Sequence, residues 1–322
     1  MLRTIFLSLS KAAWAQRLIS RWGFAWRAAQ RFVAGETAAQ AVQAVSELNA
    51  QGITATLDHL GENTSSAAEA QQASEDVLTV LRAIDAAGVQ ANVSIKLTQL
   101  GLKLDEELCR RSLLRIANEA QRLGIFIRID MEDSSLTEQT LALLRWLRAQ
   151  GFAFGIVIQA YLYRSEADVQ ALMAEGVPVR LVKGAYREPP QVAYPRKADV
   201  DAAFDRLTQA LIAGAQRAGA PQRSADGRRP PIPAIASHDE WRLRFAQQAA
   251  EQAGLPKMAL EFQMLYGIRR DLQQELARGG YPVRVYVPYG THWYPYFMRR
   301  LAERPANVRS EEHTSELQSP NT

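Results

Sequence analysis

The chain alternates between two patterns of apolar residues from about residue 51 onward. Short runs of β-branched and aliphatic residues, typical of buried strands, are separated by longer segments with the apolar spacing of helices. The runs predict eight strands, at residues 53–58, 91–97, 125–132, 153–159, 177–183, 232–238, 258–263 and 283–288. Right-handed crossovers through the helices make such strands parallel. Eight strands, each followed by a helix, predict a (β/α)8 TIM barrel over residues 51–308.

The first 50 residues predict a separate helical segment ahead of the barrel. Large apolar residues recur there at intervals of four, at Trp14, Leu18, Trp22 and Trp26, and Glu36 is the first acidic residue. We expect this basic, apolar-striped helix to pack on the outside of the barrel. Two alternatives remain open. A membrane-surface helix would also use Trp and Arg, and an organellar transit peptide would also be rich in Arg and poor in acids.

Two stretches break the alternation of strands and helices. Residues 219–231, before the sixth strand, are rich in Pro, Gly and Arg, and predict a mobile surface loop. Residues 309–322, RSEEHTSELQSPNT, are polar, lack periodicity and read as the translation of a sequencing adapter. We therefore predict that residues 309–322 are a non-native, disordered tail.

Composition narrows the class of protein. The chain has 322 residues, 47% hydrophobic and 22% charged, with a net charge of +4, which is ordinary for a soluble globular protein. A single cysteine, Cys109, excludes a disulfide framework and multi-cysteine metal sites, and the four histidines lack zinc spacing. Neither standard phosphate-binding loop motif is present. We expect no metal and no nucleic-acid partner.

The fifth strand carries the first indication of chemistry. The stretch VPVRLVKGAYR, residues 177–187, reads as a buried strand, yet it contains Arg180 and Lys183 and closes on Gly184. Removing an unpaired cation from water costs several kcal/mol or more, so an anionic group should meet this strand end. Gly184 would let a backbone or a ligand approach closely. Acidic neighbours are the simpler interpretation for either cation alone.

The same kind of residue recurs at the other strand ends. Alternate residues of a strand share a face, and the chemistry of such barrels gathers at the C-terminal ends. Counting by twos places eight polar residues around one rim: Asp58, Lys96, Asp130, Gln159, Arg180, His238, Gln263 and Tyr286. Individually each could be structural, for example a Lys96–Asp130 pair. Together they predict a site. Arg128 and Glu261 should lie deeper and pair with each other.

The last helix, within residues 291–307, has an unusual composition. Arg299 and Arg300 would normally form a solvated face, but an aromatic run precedes them. Tyr296 and Arg300 share a face at i,i+4 spacing. Guanidinium groups beside aromatic rings suit a small carboxylate with an apolar body, because the planar fork can hold the carboxylate while the rings cover the remainder.

Seven motifs give the chain a family resemblance. In order they are VSIKLTQLG, RIDMEDS, VIQAYLYRS, RLVKGAYREP, ASH, LEFQMLYG and VYVPYGTHWYPYFMRRLAE. Together, from about residue 30 to residue 308, they resemble the proline dehydrogenase family in its monofunctional bacterial form. The resemblance implies a distorted barrel with the last helix over its mouth, and non-covalent FAD. The implied reaction is oxidation of L-proline to Δ1-pyrroline-5-carboxylate, the first step of proline catabolism, by hydride transfer to FAD N5, with electrons passed to a membrane quinone.

The resemblance also implies roles for individual residues. Asp130 and Arg180 match the catalytic pair, with Arg180 near flavin N5, and Glu62 matches a gating glutamate. The substrate positions are Lys96, Tyr286, Tyr296, Arg299 and Arg300. The flavin positions are Met131, Gln159, Arg180, Lys183, Gly184, Ala185, Ser237 and His238. The chain departs from the family at Ser237, where many relatives have Thr, in the 219–231 insert and in the tail.

Two other functions stay open on the residues alone. One is a Schiff-base lyase or aldolase with Lys96 or Lys183 as the nucleophile, which requires a lowered lysine pKa. The other is an amino-acid-binding barrel without catalysis. We expect a cytoplasmic protein, with peripheral contact at the inner membrane as an open alternative. The sequence does not indicate an oligomeric state.

Overall fold

The computed structural model describes residues 23–303, and a closed barrel of eight parallel strands lies at its centre. The strands pair in sequence order, β1 with β2 and so on, and β8 closes on β1. They are β1 Thr54–His59, β2 Ala91–Ile95, β3 Ile127–Ile129, β4 Phe154–Gln159, β5 Val179–Val182, β6 Pro233–Ala236, β7 Glu261–Leu265 and β8 Val283–Tyr289. The predicted (β/α)8 barrel is confirmed. Most strands are shorter than predicted, and β2, β3, β5 and β6 end before the polar residues that were predicted to close them.

Ten helices lie within the described residues. They are α1 Gly23–Ala29, α2 Ala38–Asn49, α3 Ala67–Ala87, α4 Glu106–Leu123, α5 Thr137–Ala149, α6 Ser165–Ala174, α7 Lys197–Arg217, α8 Glu240–Gln252, α9 Arg270–Arg278 and α10 Trp293–Glu303. Local sequence sets several boundaries. Ser66 and Asp105 cap the N-termini of α3 and α4 through their side chains, and Gly88 and Gly124 end these helices in the left-handed conformation.

The helix after β8 does not take the usual outer position. Instead α2, from the N-terminal segment, packs against both β8 and β1 on the outside of the barrel. Its start is fixed by a capping box between Thr37 and Gln40. Helix α10 is thereby displaced toward the C-terminal ends of the strands, where its neighbours are Leu60 after β1 and Ile268 after β7. The helix with the unusual aromatic and basic composition therefore lies beside the barrel mouth.

The 219–231 segment closes the opposite, N-terminal end of the barrel. Gly227 is buried, and its carbonyl oxygen accepts a 2.7 Å hydrogen bond from the Arg284 guanidinium at the start of β8. Arg228 donates to the carbonyl of Leu123, and its own carbonyl accepts from Asn92. The prediction of a mobile surface loop is wrong for the centre of this segment. Gly227 and Arg228 bind this segment to the barrel and do not extend into solvent as a surface loop would.

Two predictions fall on residues outside the described range. The tail at 309–322 lies beyond it, and so do Trp14, Leu18 and Trp22 of the N-terminal stripe, so these interpretations stay predictions. Trp26, the last residue of the stripe, is half-buried against Trp293 of α10, with ring centroids 5.2 Å apart. None of the helices within residues 23–303 is both long enough and apolar enough to span a bilayer.

Candidate active site

Arg180 is the centre of the site. It is 4% exposed, and its hydrogen-bond acceptors come from four other strands or strand ends. Its guanidinium donates to Gln263 Oε1 at 2.5 Å, Asp130 Oδ1 at 2.9 Å, Ser94 Oγ at 3.1 Å and Thr56 Oγ1 at 3.4 Å. The catalytic pair implied by the resemblance, Asp130 and Arg180, is thus brought into direct contact. Acceptors in several directions hold the guanidinium in one orientation.

Asp130 is held from both sides. Tyr286 donates its hydroxyl to Asp130 Oδ2 at 2.7 Å, and the Arg180 guanidinium carbon lies 5.1 Å from the Tyr286 ring centroid. Burial raises the pKa of Tyr286 well above its ordinary value, and the Asp130 carboxylate raises it further. The phenol therefore stays protonated and serves as a fixed hydrogen-bond donor.

Lys96 pairs with a different carboxylate from the one named in the structural alternative. Its ammonium lies 3.3 Å from both oxygens of Asp58, so the suggested Lys96–Asp130 pair is wrong. Burial alone would lower the pKa of Lys96, but the nearby carboxylates of Asp58 and Asp130 outweigh it and raise that pKa above its ordinary value. Lys96 is a permanent cation, the opposite of what a Schiff-base lysine requires.

Gln159 links the ends of three strands. Its Nε2 donates to the Glu132 carbonyl at 2.8 Å, and its Oε1 accepts from the Ala185 N–H at 3.0 Å. The Glu132 carboxyl accepts from the backbone and hydroxyl of Thr98, and burial raises the pKa of this carboxyl. Glu132 had no assigned role, although its place in RIDMEDS, directly after Met131, was a usable signal. Met131 is itself buried.

The backbone after β5 is open to solvent. Gly184 and Ala185 are exposed, and Gly184 has φ +138°, a conformation that side-chain-bearing residues rarely adopt. The Tyr161 ring fills the space beside Gly184, where an added Cβ would lie 2.5 Å from it. The Tyr161 hydroxyl also accepts from the N–H of Tyr186. The turn is therefore fixed in shape while one side of its backbone stays accessible.

Lys183 and the end of β6 form the neighbouring part of the rim. The Lys183 ammonium lies 2.5 Å from Asp201 and 2.7 Å from Asp239, which satisfies the simpler interpretation of this cation. The hydroxyl of Ser237 accepts from the Asp239 N–H at 3.1 Å. His238 Nε2 accepts from the Leu265 N–H at 2.9 Å, which fixes the ring.

Helix α10 brings its arginines to the same mouth. Arg299 forms a 2.8 Å ion pair with Glu62, in the loop after β1. The Arg300 guanidinium lies over the Tyr296 ring, 5.2 Å from its centroid, which confirms that these two residues share a face. Tyr186, which we did not assign, is half-buried in this region, and Glu62 is among the groups that, after burial, raise its pKa. Its position in the RLVKGAYRE motif was the available signal.

The deeper charges pair differently from our expectation. Glu261 binds the Arg284 guanidinium at 3.0 Å, whereas Arg128 donates to the carbonyls of Ile156 and Pro178. The predicted Arg128–Glu261 pair is therefore wrong. Glu261 Oε1 also accepts from Gln263 Nε2 at 2.5 Å. Because a carboxylate can only accept, this bond turns the Gln263 carbonyl oxygen toward Arg180.

Comparison with known proteins agrees with these motifs. The family model for proline dehydrogenase matches residues 41–313. The chain belongs to the proline dehydrogenase family. Proline dehydrogenase 1 of Bacillus subtilis strain 168 is 41% identical over 308 residues, 96% of this chain and 97% of that protein. The proline dehydrogenase of Deinococcus radiodurans is 44% identical over 289 residues, 88% of each chain.

A solved structure supports the fold. Proline utilization A (PutA) from Bdellovibrio bacteriovorus, inactivated by N-propargylglycine, matches with a TM-score of 0.76 and 28% identity over 92% of this chain. The chain spans only 34% of that PutA. Membership of the proline dehydrogenase family makes the chain an oxidoreductase of proline catabolism on a TIM barrel. The lyase and the non-catalytic binding protein are set aside.

Proposed function

We propose that the enzyme oxidises L-proline to Δ1-pyrroline-5-carboxylate, with non-covalent FAD as the hydride acceptor at N5 and a membrane quinone as the final electron acceptor. One observation carries this proposal. A buried guanidinium with four hydrogen bonds, that of Arg180, shares one barrel mouth with a separate set of cations, Lys96 and the α10 arginines. The buried Arg180 suits a redox cofactor. The other cations suit a substrate that carries a carboxylate.

The residues after β4, β5 and β6 fit a flavin dinucleotide. Gly184 and Ala185 offer exposed backbone without a bulky side chain, and Gln159 fixes that backbone through the Ala185 N–H. Lys183 supplies a cation, although two carboxylates already partly neutralise it. FAD, when bound, accepts the hydride and delivers the electrons to the quinone. Arg180 would then place a fixed positive charge where negative charge develops on the reduced ring.

The substrate residues would orient proline rather than react with it. Arg299 and Arg300 would hold its carboxylate, with Lys96, after β2, as a further cation. Tyr286 and Tyr296, both aromatic and largely covered, would enclose the pyrrolidine ring. Proline must lose its ammonium proton before hydride can leave the carbon next to nitrogen. Asp130 accepts hydrogen bonds from Arg180 and Tyr286. Its carboxylate would therefore stay at a fixed position near that amine and would not move as a general base.

Glu62 would control entry to this mouth. Its ion pair with Arg299 joins the loop after β1 to α10, and each partner is about one-third exposed, at 29% and 34%. Such a pair is weak enough to open, since exposed ion pairs contribute about 0–1 kcal/mol. The gating role is thus compatible with a contact that forms and breaks as substrate enters.

Spectroscopy of the purified protein tests the proposal directly. We expect a yellow flavin spectrum, release of the chromophore into the supernatant on acid precipitation, and anaerobic bleaching by L-proline. Pyrrolidine, which lacks the carboxylate, is the matched control and should bleach far less at equal concentration. Added quinone should restore the colour. A colourless protein, or colour that stays with the acid pellet, would contradict the FAD assignment.

A further inference from the structure

Helix α10 does not pack into the main core of the barrel. Its buried side chains, Trp293, Tyr294, Tyr296, Phe297 and Met298, belong to a second, separate apolar cluster. The other buried members come from two strand-end loops, as Leu60 and Ile268, and from the N-terminal segment, as Ala29, Phe32 and Val33. We call residues 26–35 the N-terminal strap. The position of α10 therefore depends on a satellite cluster to which the strap contributes a large share.

The strap meets α10 through two aromatic pairs. The rings of Trp26 and Trp293 have centroids 5.2 Å apart, and those of Phe32 and Phe297 are 6.4 Å apart, both in tilted arrangements. Phe32 is 6% exposed. Such pairs contribute beyond simple area burial and prefer particular geometries. They therefore constrain both the distance and the rotation of α10.

The strap also binds the turn that connects β8 to α10. The Ala34 N–H donates to the Pro288 carbonyl at 2.9 Å, and the Gly290 N–H donates to the Gly35 carbonyl at 2.9 Å. Gly290 has φ +119°, so it is the conformationally free point of this connection. Two backbone hydrogen bonds with the strap thus hold Pro288, near the end of β8, and Gly290, in the turn that leads to α10.

A third contact ties the strap to the loop after β7. A Cβ added to Gly267 would lie only 1.8 Å from the Arg31 carbonyl oxygen, so the two backbones are packed tightly together. Aromatic pairs, backbone bonds and this close approach hold one short segment against α10, the turn before it and the loop after β7.

We propose that Trp26 and Phe32 are positioning residues for proline capture, because they hold α10 so that Arg299 and Arg300 face the barrel mouth. This inference rests on the proposed role of those arginines in binding the substrate carboxylate. The ion pair to Glu62 is partly exposed and cannot fix the helix alone. The strap supplies the missing constraint. Small misplacements of a substrate-binding group are costly, since capture depends on geometry within about 1 Å.

The test compares Trp26→Ala and Phe32→Ala with Trp146→Ala in the flavin-loaded enzyme. Trp146 is the matched control, because it is also half-buried but packs on the outside of the barrel under Arg110. We expect the strap variants to raise KM for L-proline on the order of 10-fold, with kcat per bound flavin within about twofold. Trp146→Ala should lower stability without raising KM. Trp26→Phe should recover most of the loss.

Two further measurements separate this inference from the proposed function. Inhibition by a saturated five-membered-ring carboxylate should weaken in the strap variants by the same factor as KM. Bleaching by pyrrolidine should weaken by a smaller factor, because pyrrolidine has no carboxylate for the arginines to hold and would contact α10 only through Tyr296. If the wild-type enzyme itself failed to prefer proline over pyrrolidine, the proposed function would fail. If it preferred proline but the strap variants kept wild-type KM, or lost activity only in proportion to flavin content, the positioning role would be wrong. Should Trp26→Ala not fold, Trp26→Phe and Phe32→Leu provide the graded comparison.

Discussion

Two arginine sites share one barrel mouth, and they are built in opposite ways. Arg180 is 4% exposed and bonded to four side chains that come from different strands. Arg299 stands on a helix outside the barrel core, with its side chain 34% exposed and one ion pair to Glu62. The inner guanidinium cannot move without breaking the surrounding network, whereas the outer one can release its partner. A fixed cation suits an electrostatic role at a cofactor, and an adjustable one suits capture of a substrate.

The contrast extends to the support behind each site. Arg180 is oriented by Gln263, whose amide is in turn oriented by Glu261, and Glu261 is bound by Arg284. Arg284 donates to Gly227 in the segment that closes the other end of the barrel. The inner site therefore rests on a continuous chain of hydrogen bonds through the barrel interior. The outer site rests on apolar packing of α10 against the strap and two loops.

Substitution of Arg180 should give the largest effect. Arg180→Met removes one buried partner each from Asp130 and Gln263, and breaking such a buried pair costs roughly 3–5 kcal/mol. We expect a matching fall in the free energy of unfolding in urea, together with loss of flavin. Arg299→Met is the control on α10 and should change unfolding by at most about 0.5 kcal/mol. Equal destabilisation by the two variants would remove the distinction between the sites.

Substitution of the α10 arginines should instead weaken the capture of proline by the enzyme. Arg299→Met or Arg300→Met should lower kcat/KM for proline by roughly 10- to 150-fold, about 1.5–3 kcal/mol for a lost charge-assisted contact. Lysine should rescue only part, since an ammonium lacks the planar fork. Oxidation of pyrrolidine should barely respond. Wild-type kcat/KM in both methionine variants would show that these arginines form an ordinary solvated face.

The sequence was sufficient for the barrel and for many of the rim residues, although it missed Glu132 and Tyr186. Strand and helix periods predict the eight units, and alternation within each strand predicts which side chains face inward, as for Asp58, Asp130 and Arg180. Alternation does not predict which inward residue meets which. That depends on the stagger between neighbouring strands, which is set by closure of the whole barrel. Alternation therefore allows either Asp130 or Asp58 as the partner of Lys96, and only the structure shows that it is Asp58.

Composition was also misleading where tertiary contacts override it. The Pro, Gly and Arg content of residues 219–231 is that of a surface loop, yet Gly227 is buried under Arg284. The arginines at the strand starts could have indicated this burial. A buried guanidinium has only donors, so it needs acceptors such as the carbonyl groups of a covering segment. The support of α10 by the N-terminal strap was likewise invisible, because it joins segments about 260 residues apart through apolar contacts without a motif.

The smallest effect should be the response of Lys96 to pH. The carboxylates around Lys96 raise its pKa, so the native state favours the cation more than the unfolded chain does. Its contribution to stability is therefore fully present below the ordinary lysine pKa of about 10.4 and is lost only as pH rises through the higher native pKa. Between about pH 7 and 9.5, kcat/KM should rise as proline loses its ammonium proton, without a downturn from Lys96. Lys96→Arg should keep this profile, because arginine is also a permanent cation. A downturn below about pH 9 in the wild-type enzyme, absent in Lys96→Arg, would show instead that Lys96 deprotonates in the working range and that the carboxylates do not hold its charge.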